Sequence, residues 1–456
     1  MTLARYESYK DSGVEWLGEV PQGWTVARLK FIASVQTGVA KGKDNVGKDT
    51  VEVPYLRVAN VQDGYLSLDD VATIQIPAEN LQRYALKAGD VLMNEGGDFD
   101  KLGRGHVWQG EIEPCIHQNH VFAVRPATVG SDWLNTVTGS DYAQFYFMSR
   151  SKQSTNLASI SSTNVMELPV IVPPADQQKA ILTFLSIETG KIDALVAEQE
   201  RLITILKEKR QAVISHAVTK GLNPDAPMKD SGIEWLGEVP ESWEVLQFTR
   251  VIGRIEQGWS PVASSESCEP DNWGVLKLGA IKNGEFIAGE NKMLLAGIDP
   301  DPALEVKPGD LLLTRGNTPE LVGDACVVTE FVGYRLMLSD LVYRILLKPN
   351  NEPNFFCNLL ISKYGRSLIE TDARGSSMSM AKISQGHIGS WIIPVPPPEE
   401  QSAIVAFINA ETARIDALLA EAQRAIDLLK ERRIALISTA VTGKIDVRGL
   451  VVTKSE

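Results

Sequence analysis

Cysteine is scarce in this chain: Cys115, Cys268, Cys326 and Cys357 stand alone among 456 residues, with no C-x-x-C pair. That excludes a disulfide framework and a thiolate zinc site, and leaves the thiols as small buried apolar residues. Histidine numbers five. His106, His117 and His120 lie close in sequence, but the matching stretch of the second half carries Leu338 and Leu341, so no metal site is expected. Long apolar runs are also missing. None reaches the roughly 18 residues of a membrane helix, and the opening MTLARYESYKDSG has no apolar core of a secretory signal. The expected location is therefore the cytoplasm, with no membrane partner. Positive charge is short as well: 45 Lys and Arg against 58 Asp and Glu leave a net charge of −13. This excludes a uniformly basic nucleic-acid coat, but not a local basic face, because association follows the local field.

What the chain has is repetition. KDSGVEWLGEVPQGW (10–24) returns as KDSGIEWLGEVPESW (229–243), identical at twelve of fifteen positions. ETGKIDALVAE (188–198) returns as ETARIDALLAE (411–421), identical at eight of eleven. Between these blocks the halves align loosely. PYLRVANVQDGYL (54–66) answers to GVLKLGAIKNGEF (274–286), KAGDVLMNEGGD (87–98) to KPGDLLLTRGNT (307–318), and QNHVFAVRP (118–126) to SDLVYRILLKP (339–349). These fragments alternate apolar and polar residues between Gly, Asp and Pro, which predicts short strands joined by turns. Short amphipathic helices are expected at 142–156 and 354–370.

The stretches from about Asp176 to Thr219 and from Glu400 to Thr442 read as long helices. Each starts with proline and acid and ends with Lys and Arg followed by Gly221 or Gly443. About 44 residues at 1.5 Å give roughly 66 Å. A lone helix of that length exposes its apolar stripe, so the two are expected to pair with each other, antiparallel about a pseudo-twofold axis. Ile192, Leu195, Leu202 and Leu206 face Ile415, Leu418, Ala425 and Leu429 in that reading. The expected fold class is α+β. Two mixed α/β globules in internal repeat (1–172 and 222–395) alternate with long coiled-coil helices (173–221 and 396–446), and a tail follows at 447–456.

Catalytic motifs are missing. There is no G-x-x-x-x-G-K-(S/T) phosphate loop, no (N/D)-P-P-(F/Y) tetrad for a flipped adenine, and no carboxylate and lysine cluster of a nuclease.

Two divergent globules, each followed by a proline-led, IDAL-containing long helix and preceded by KDSGxEWLGEVPxxW, together resemble the specificity subunit of type I restriction-modification systems. The terminal LISTAVTGKIDVR (436–448) fits the same pattern. The resemblance implies that each globule is a target recognition domain reading one half of a split double-stranded DNA sequence. The helices would fix the unread spacer and hold two methyltransferase subunits, which recruit restriction and translocase subunits. It implies no cofactor in this chain, with S-adenosylmethionine, ATP and Mg2+ belonging to the partners.

The family carries no fixed set of base-contacting residues, so candidates come from residue type and loop placement. In the first half they are Lys41, Lys43 and Lys48 in a Gly-rich stretch, Arg57 and Asn60 at a strand turn, Lys101 and Arg104 in DFDKLGRGH, and Ser161, Ser162 and Asn164. In the second half they are Lys277, Lys282, Arg315, Asn317, Arg374, Ser376, Ser377 and Lys382. Residues 25–172 hold 13 cations against 16 anions, so this chain alone is expected to bind DNA weakly. The alternative reading is a non-catalytic structural adaptor that organises a protein assembly without reading bases.

Overall fold

A computed structural model of the chain describes residues 4–42, 47–97, 99, 102–154, 157–269, 272–331, 333–373 and 380–450. It divides into two compact units, Met1–Gln199 with Arg424–Glu456, and Glu200–Gln423. Packing therefore cuts each long helix near its middle, whereas the sequence ranges set whole helices apart from globules. The reason is that each half-helix buries apolar side chains in the core of its own unit. Ile181, Phe184, Leu185, Ala440 and Val441 join the first core, and Ile214, Ala217, Val218, Ile404 and Ile408 the second.

Each globule is built on a four-stranded antiparallel sheet. In the first unit the order is Ala33–Thr37, Val121–Pro126, Val91–Asn94, Gly105–Val107; in the second it is Ile252–Gln257, Val342–Leu347, Leu311–Thr314, Ala325–Val327. The centre strands read VLMN and LLLT and are buried along their whole length, as strands covered on both faces must be. A three-stranded sheet of the same order accompanies each: Ile116–His117, Thr50–Leu56, Ala72–Pro77 in the first, and Arg335–Met337, Trp273–Leu276, Asn291–Met293 in the second. One outer pairing is parallel and the other antiparallel in both copies. The KAGD and KPGD turns are alike in detail: Asp90 accepts from Lys87 N at 2.8 Å and Asp310 from Lys307 N at 2.9 Å.

The repeated lead-ins form matching hairpins. Ser12 N donates to Gly18 O and Ser231 N to Gly237 O, while Asp11 and Asp230 each accept from the glycine two residues on. Their tryptophans, Trp24 and Trp243, are buried. Each lead-in packs against the end of a long helix, where Gly443 and Gly221 take φ values of +70° and +76°. A Cβ at Gly443 would stand 2.4 Å from Pro21, so closeness as well as φ demands glycine there.

The long helices span Ala175–Lys220 (46 residues) and Pro398–Val441 (44 residues). Gln178 and Gln401 each donate a side-chain hydrogen bond back to the proline carbonyl that precedes the helix. The helices meet through Asp193 and Arg433 at 2.9 Å in the first unit and through Arg210 and Asp416 at 3.1 Å in the second. Numbers rise along one helix as they fall along the other, so they run antiparallel.

The seam differs from the expected one. Buried or half-buried positions fall at Ile192, Val196, Gln199, Ile203, Leu206 and Arg210, and at Ile415, Leu419, Ala422, Ile426, Leu429 and Arg433. These steps of four and three are a heptad stripe. Ile192, Leu206 and Ile415 are buried, and Ala425 and Leu429 half-buried, but Leu195, Leu202 and Leu418 are exposed to 51%, 42% and 54%. Leu195 sits one residue, about 100°, from the seam position Val196. A seam between two helices is one narrow stripe, and it cannot cover both.

All four cysteines are buried and unbridged. Burial pushes the Cys115 and Cys357 thiols up to about 12.

Candidate nucleic-acid interface

Four segments converge where the centre strand of each four-stranded sheet ends. In the second unit, the residue after Thr314 is Arg315, whose N donates to Leu341 O at 2.7 Å and whose O accepts from Ile383 N at 2.8 Å. Gly316 and Asn317 then pair with Lys382 and Ala381. Trp259 N reaches Leu338 O at 3.1 Å, bringing in the loop after Ile252–Gln257. The first unit repeats the scheme: Glu95 N donates to His120 O at 2.9 Å, Ile160 N to Glu95 O at 2.9 Å, and Val39 N to His117 O at 2.9 Å. Gly38 and Gly258 mark the crossing. A Cβ on either would lie within 2.3 Å of backbone in the neighbouring segment.

The head groups on this common frame differ. In the second unit Arg315 lies over the Tyr343 ring, 6.0 Å from its centroid, and donates one hydrogen bond to Asp340 O at 3.4 Å. The Asp340 carboxylate is taken by Ser260 Oγ. Trp259 is 46% exposed beside it. In the first unit the matched position holds Glu95, whose Oε2 lies 2.8 Å from His120 Nδ1.

The structure brings Arg315, Asn317 and Lys382 together. Lys41 and Lys48 are exposed on the matching loop of the first unit. Lys43, Lys101, Arg374, Ser376 and Ser377 lie outside the described residues. The other expected residues lie in the bonds of their own segments. Asn60 is 3% exposed; it accepts from Arg57 N and donates to Ser67 O and Asp70 O, which spends it on its own turn. Arg57 is tied to Asp70 at 2.9 Å. Ser161 caps the short helix Ser162–Met166 by accepting from Asn164 N, and the Asn164 side chain donates to Arg150 O. These local bonds use the polar atoms that were assigned to DNA. Arg104 is half-buried, its carbonyl accepting from Asn94 N. Lys277 directly follows the strand Trp273–Leu276, 3.9 Å from Glu290. Lys282 stands at the Asn283–Gly284 turn and lines a cleft with Arg210 and Asp416.

That cleft has a twin. The first unit holds one of about 790 Å³ lined by Asn135, Thr189, Asp193 and Arg433. The second holds one of about 750 Å³ lined by Asn358, Thr412, Asp416 and Arg210, the last three being the repeat matches of Thr189, Asp193 and Arg433. Asp141 N donates to Ser438 Oγ and Lys363 N to Ser215 Oγ, fixing each globule to a helix in the same way.

His117 is fully buried with Nδ1 2.7 Å from Val121 O, and burial lowers its pKa. His120 is on the surface with Glu95. Among the described residues no group of three His, Cys, Asp or Glu is placed to hold a metal ion, and no helix is long and apolar enough to cross a membrane. Sequence reading missed Glu95, His120, Trp259 and Asp340 as candidates. The signal was present in the aligned EGGD and RGNT, which place opposite charges at one position.

No family model matches the chain. Its sequence is 26% identical over 442 residues to the chain assigned as the MjaX specificity subunit of Methanocaldococcus jannaschii, covering 95% of this chain and 96% of the relative. It is 22% identical over 442 residues to the type I restriction enzyme EcoKI specificity subunit of Escherichia coli, covering 94% and 90%. In fold it is similar to a chain from a structure of the type I R-M system, with TM-score 0.67, 16% identity and coverage of 93% and 99%. It is also similar to the HsdS subunit from Thermoanaerobacter tengcongensis, with TM-score 0.51, 16% identity and coverage of 93% and 98%. The similarity to type I restriction-modification specificity subunits thus runs nearly end to end in sequence, and the duplicated fold is shared with the two solved chains.

Proposed function

We propose that the chain is the DNA sequence-recognition subunit of a type I restriction-modification complex. Each globule reads one half of a bipartite double-stranded target, and the long helices fix the spacer. The observation that carries this reading is the duplication itself: one strand order and one set of turn bonds in both units, with different head groups at the matched sheet end. A common frame with divergent heads suits two readers of different half-sites.

The helices also serve as docking posts for two methyltransferase subunits. Apolar side chains left outside the seam support this, since Leu195 and Leu428 in the first unit match Leu418 and Ile205 in the second, all at least half exposed. Duplicated apolar patches beside duplicated clefts suit two copies of one partner. Chemistry resides in those partners: S-adenosylmethionine with the methyltransferases, ATP and Mg2+ with the restriction subunits. This chain contributes recognition and no catalytic residue. The deficit of cations in the first globule fits phosphate contacts made largely by the partners.

The test is to express the chain with its methyltransferase and sequence the methylated sites. One split motif, lost when the chain is omitted, is expected. A stable complex whose methylation pattern is indifferent to exchange of residues 25–172 would favour the adaptor instead.

A further inference from the structure

We infer that Arg315 and Glu95 are matched base-reading heads of opposite chemistry, Arg315 taking a guanine in one half-site and Glu95 a cytosine in the other. This rests on the reading of the globules as DNA readers given above.

The positions correspond by backbone and not only by alignment. Each residue directly follows the buried centre strand, donates its N–H to the carbonyl of the incoming neighbour strand (Leu341 or His120), and accepts from the segment that closes the site (Ile383 or Ile160). The frame is rigid on both sides of that residue, because Asn94 and Thr314 before it are buried and the glycines after it pair in a short ladder. A side chain leaving this point is aimed by strand geometry. That is what base reading requires, since an error of about an ångström loses a bidentate contact.

Arg315 is prepared as a fork. A guanidinium carries five N–H donors. Among the described residues it makes one long hydrogen bond, to Asp340 O, and no ion pair, although a carboxylate lies in the same cluster. That carboxylate is instead taken by Ser260. The Tyr343 ring lies beneath the guanidinium, its centroid 6.0 Å from the Arg315 Cζ. An oriented guanidinium with spare donors matches guanine O6 and N7 in the major groove, the commonest specific contact to a base.

Glu95 is the complement. His120 occupies Oε2 and fixes the carboxylate, and Oε1 has no partner among the described residues. A carboxylate oxygen held this way accepts from cytosine N4, and it repels the acceptor edge of guanine.

The test uses the chain in complex with its methyltransferase, with methylated sites sequenced for wild type, Arg315→Ala, Arg315→Lys and Glu95→Gln. For both Arg315 variants the expected result is loss of preference, by about ten-fold or more, at one guanine of the half-site assigned to the second globule, the other half-site unchanged. Arg315→Lys retains the charge, so it still methylates, and a melting curve shows the fold intact. Glu95→Gln relaxes one cytosine in the opposite half-site. A wild-type motif that Arg315→Lys and Arg315→Ala leave unchanged overturns this inference alone, as does relaxation in the wrong half-site. A wild-type complex that methylates without any motif overturns the underlying reading, and this inference with it.

Discussion

Asp193 and Arg433 meet at 2.9 Å in one unit, and Asp416 and Arg210, their counterparts in the repeat, meet at 3.1 Å in the other with the helices exchanged. The same bond is thus made twice by a chain that repeats its helix. All four side chains keep substantial exposure to solvent, so each pair contributes only about 0.2–1 kcal/mol. Asp193→Ala should lower the unfolding free energy by no more than about 1 kcal/mol, and Ile192→Ala, which empties a buried seam position, by about 2–5 kcal/mol. Urea titration of the two variants ranks them. The reverse order would contradict the heptad seam.

A glycine inside one long helix and a glycine just past the end of the other should respond in opposite directions. Gly190 lies mid-helix with no atom within 4 Å of the point where an alanine methyl would stand, and the second helix carries Ala413 there. Gly190→Ala should stabilise by about 0.5–1 kcal/mol. Gly443 holds φ +70° and would drive a Cβ into Pro21 and Trp24. Gly443→Ala should destabilise by more than about 1 kcal/mol. Thermal melts of both variants measure the difference.

His117 gives the first unit a dependence on pH that the second lacks at this place. Burial lowers its pKa below the ordinary 6.5. Below pH 6.5 the unfolded chain takes up a proton that the folded chain does not, so stability falls as pH falls, by up to about 1.4 kcal/mol per pH unit from this group. His117→Leu copies the twin globule, where Leu338 is fully buried. Urea midpoints at pH 7.5 and 5.5 should fall less for the variant than for wild type. An equal fall would remove His117 from the account.

Leu418→Asp places a charge on the exposed apolar patch of the second unit without touching the seam. Stability should change by less than about 0.5 kcal/mol, while native mass spectrometry should show one bound methyltransferase in place of two. Two bound copies would mean that the patch is not a docking post.

The doubled architecture was legible in the sequence because long-range repetition survives divergence of the parts between. Periodicity and caps located both long helices to within a few residues. The seam was harder to read: Leu195 and Val196 are both apolar, and only the second falls on the stripe that a neighbouring helix covers. Site residues were the least legible. Asn60 and Ser161 are polar residues in turns, the composition expected of a DNA contact, yet their polar atoms close the turns themselves. Whether a loop side chain faces outward depends on bonds to segments distant in sequence. Glu95 and Arg315 already share one position in the aligned EGGD and RGNT, but that both leave the same strand end is visible only with the two sheets laid in register.

The most direct measurement of the account is the spacer. Inserting four residues, one turn of about 6 Å, into each long helix should lengthen the unread gap of the methylated motif by about two base pairs at 3.4 Å each, with both half-sites unchanged. A methylated motif that keeps its spacer, or keeps its spacer while changing a half-site, would contradict the proposal that the helix pair sets the distance between two readers.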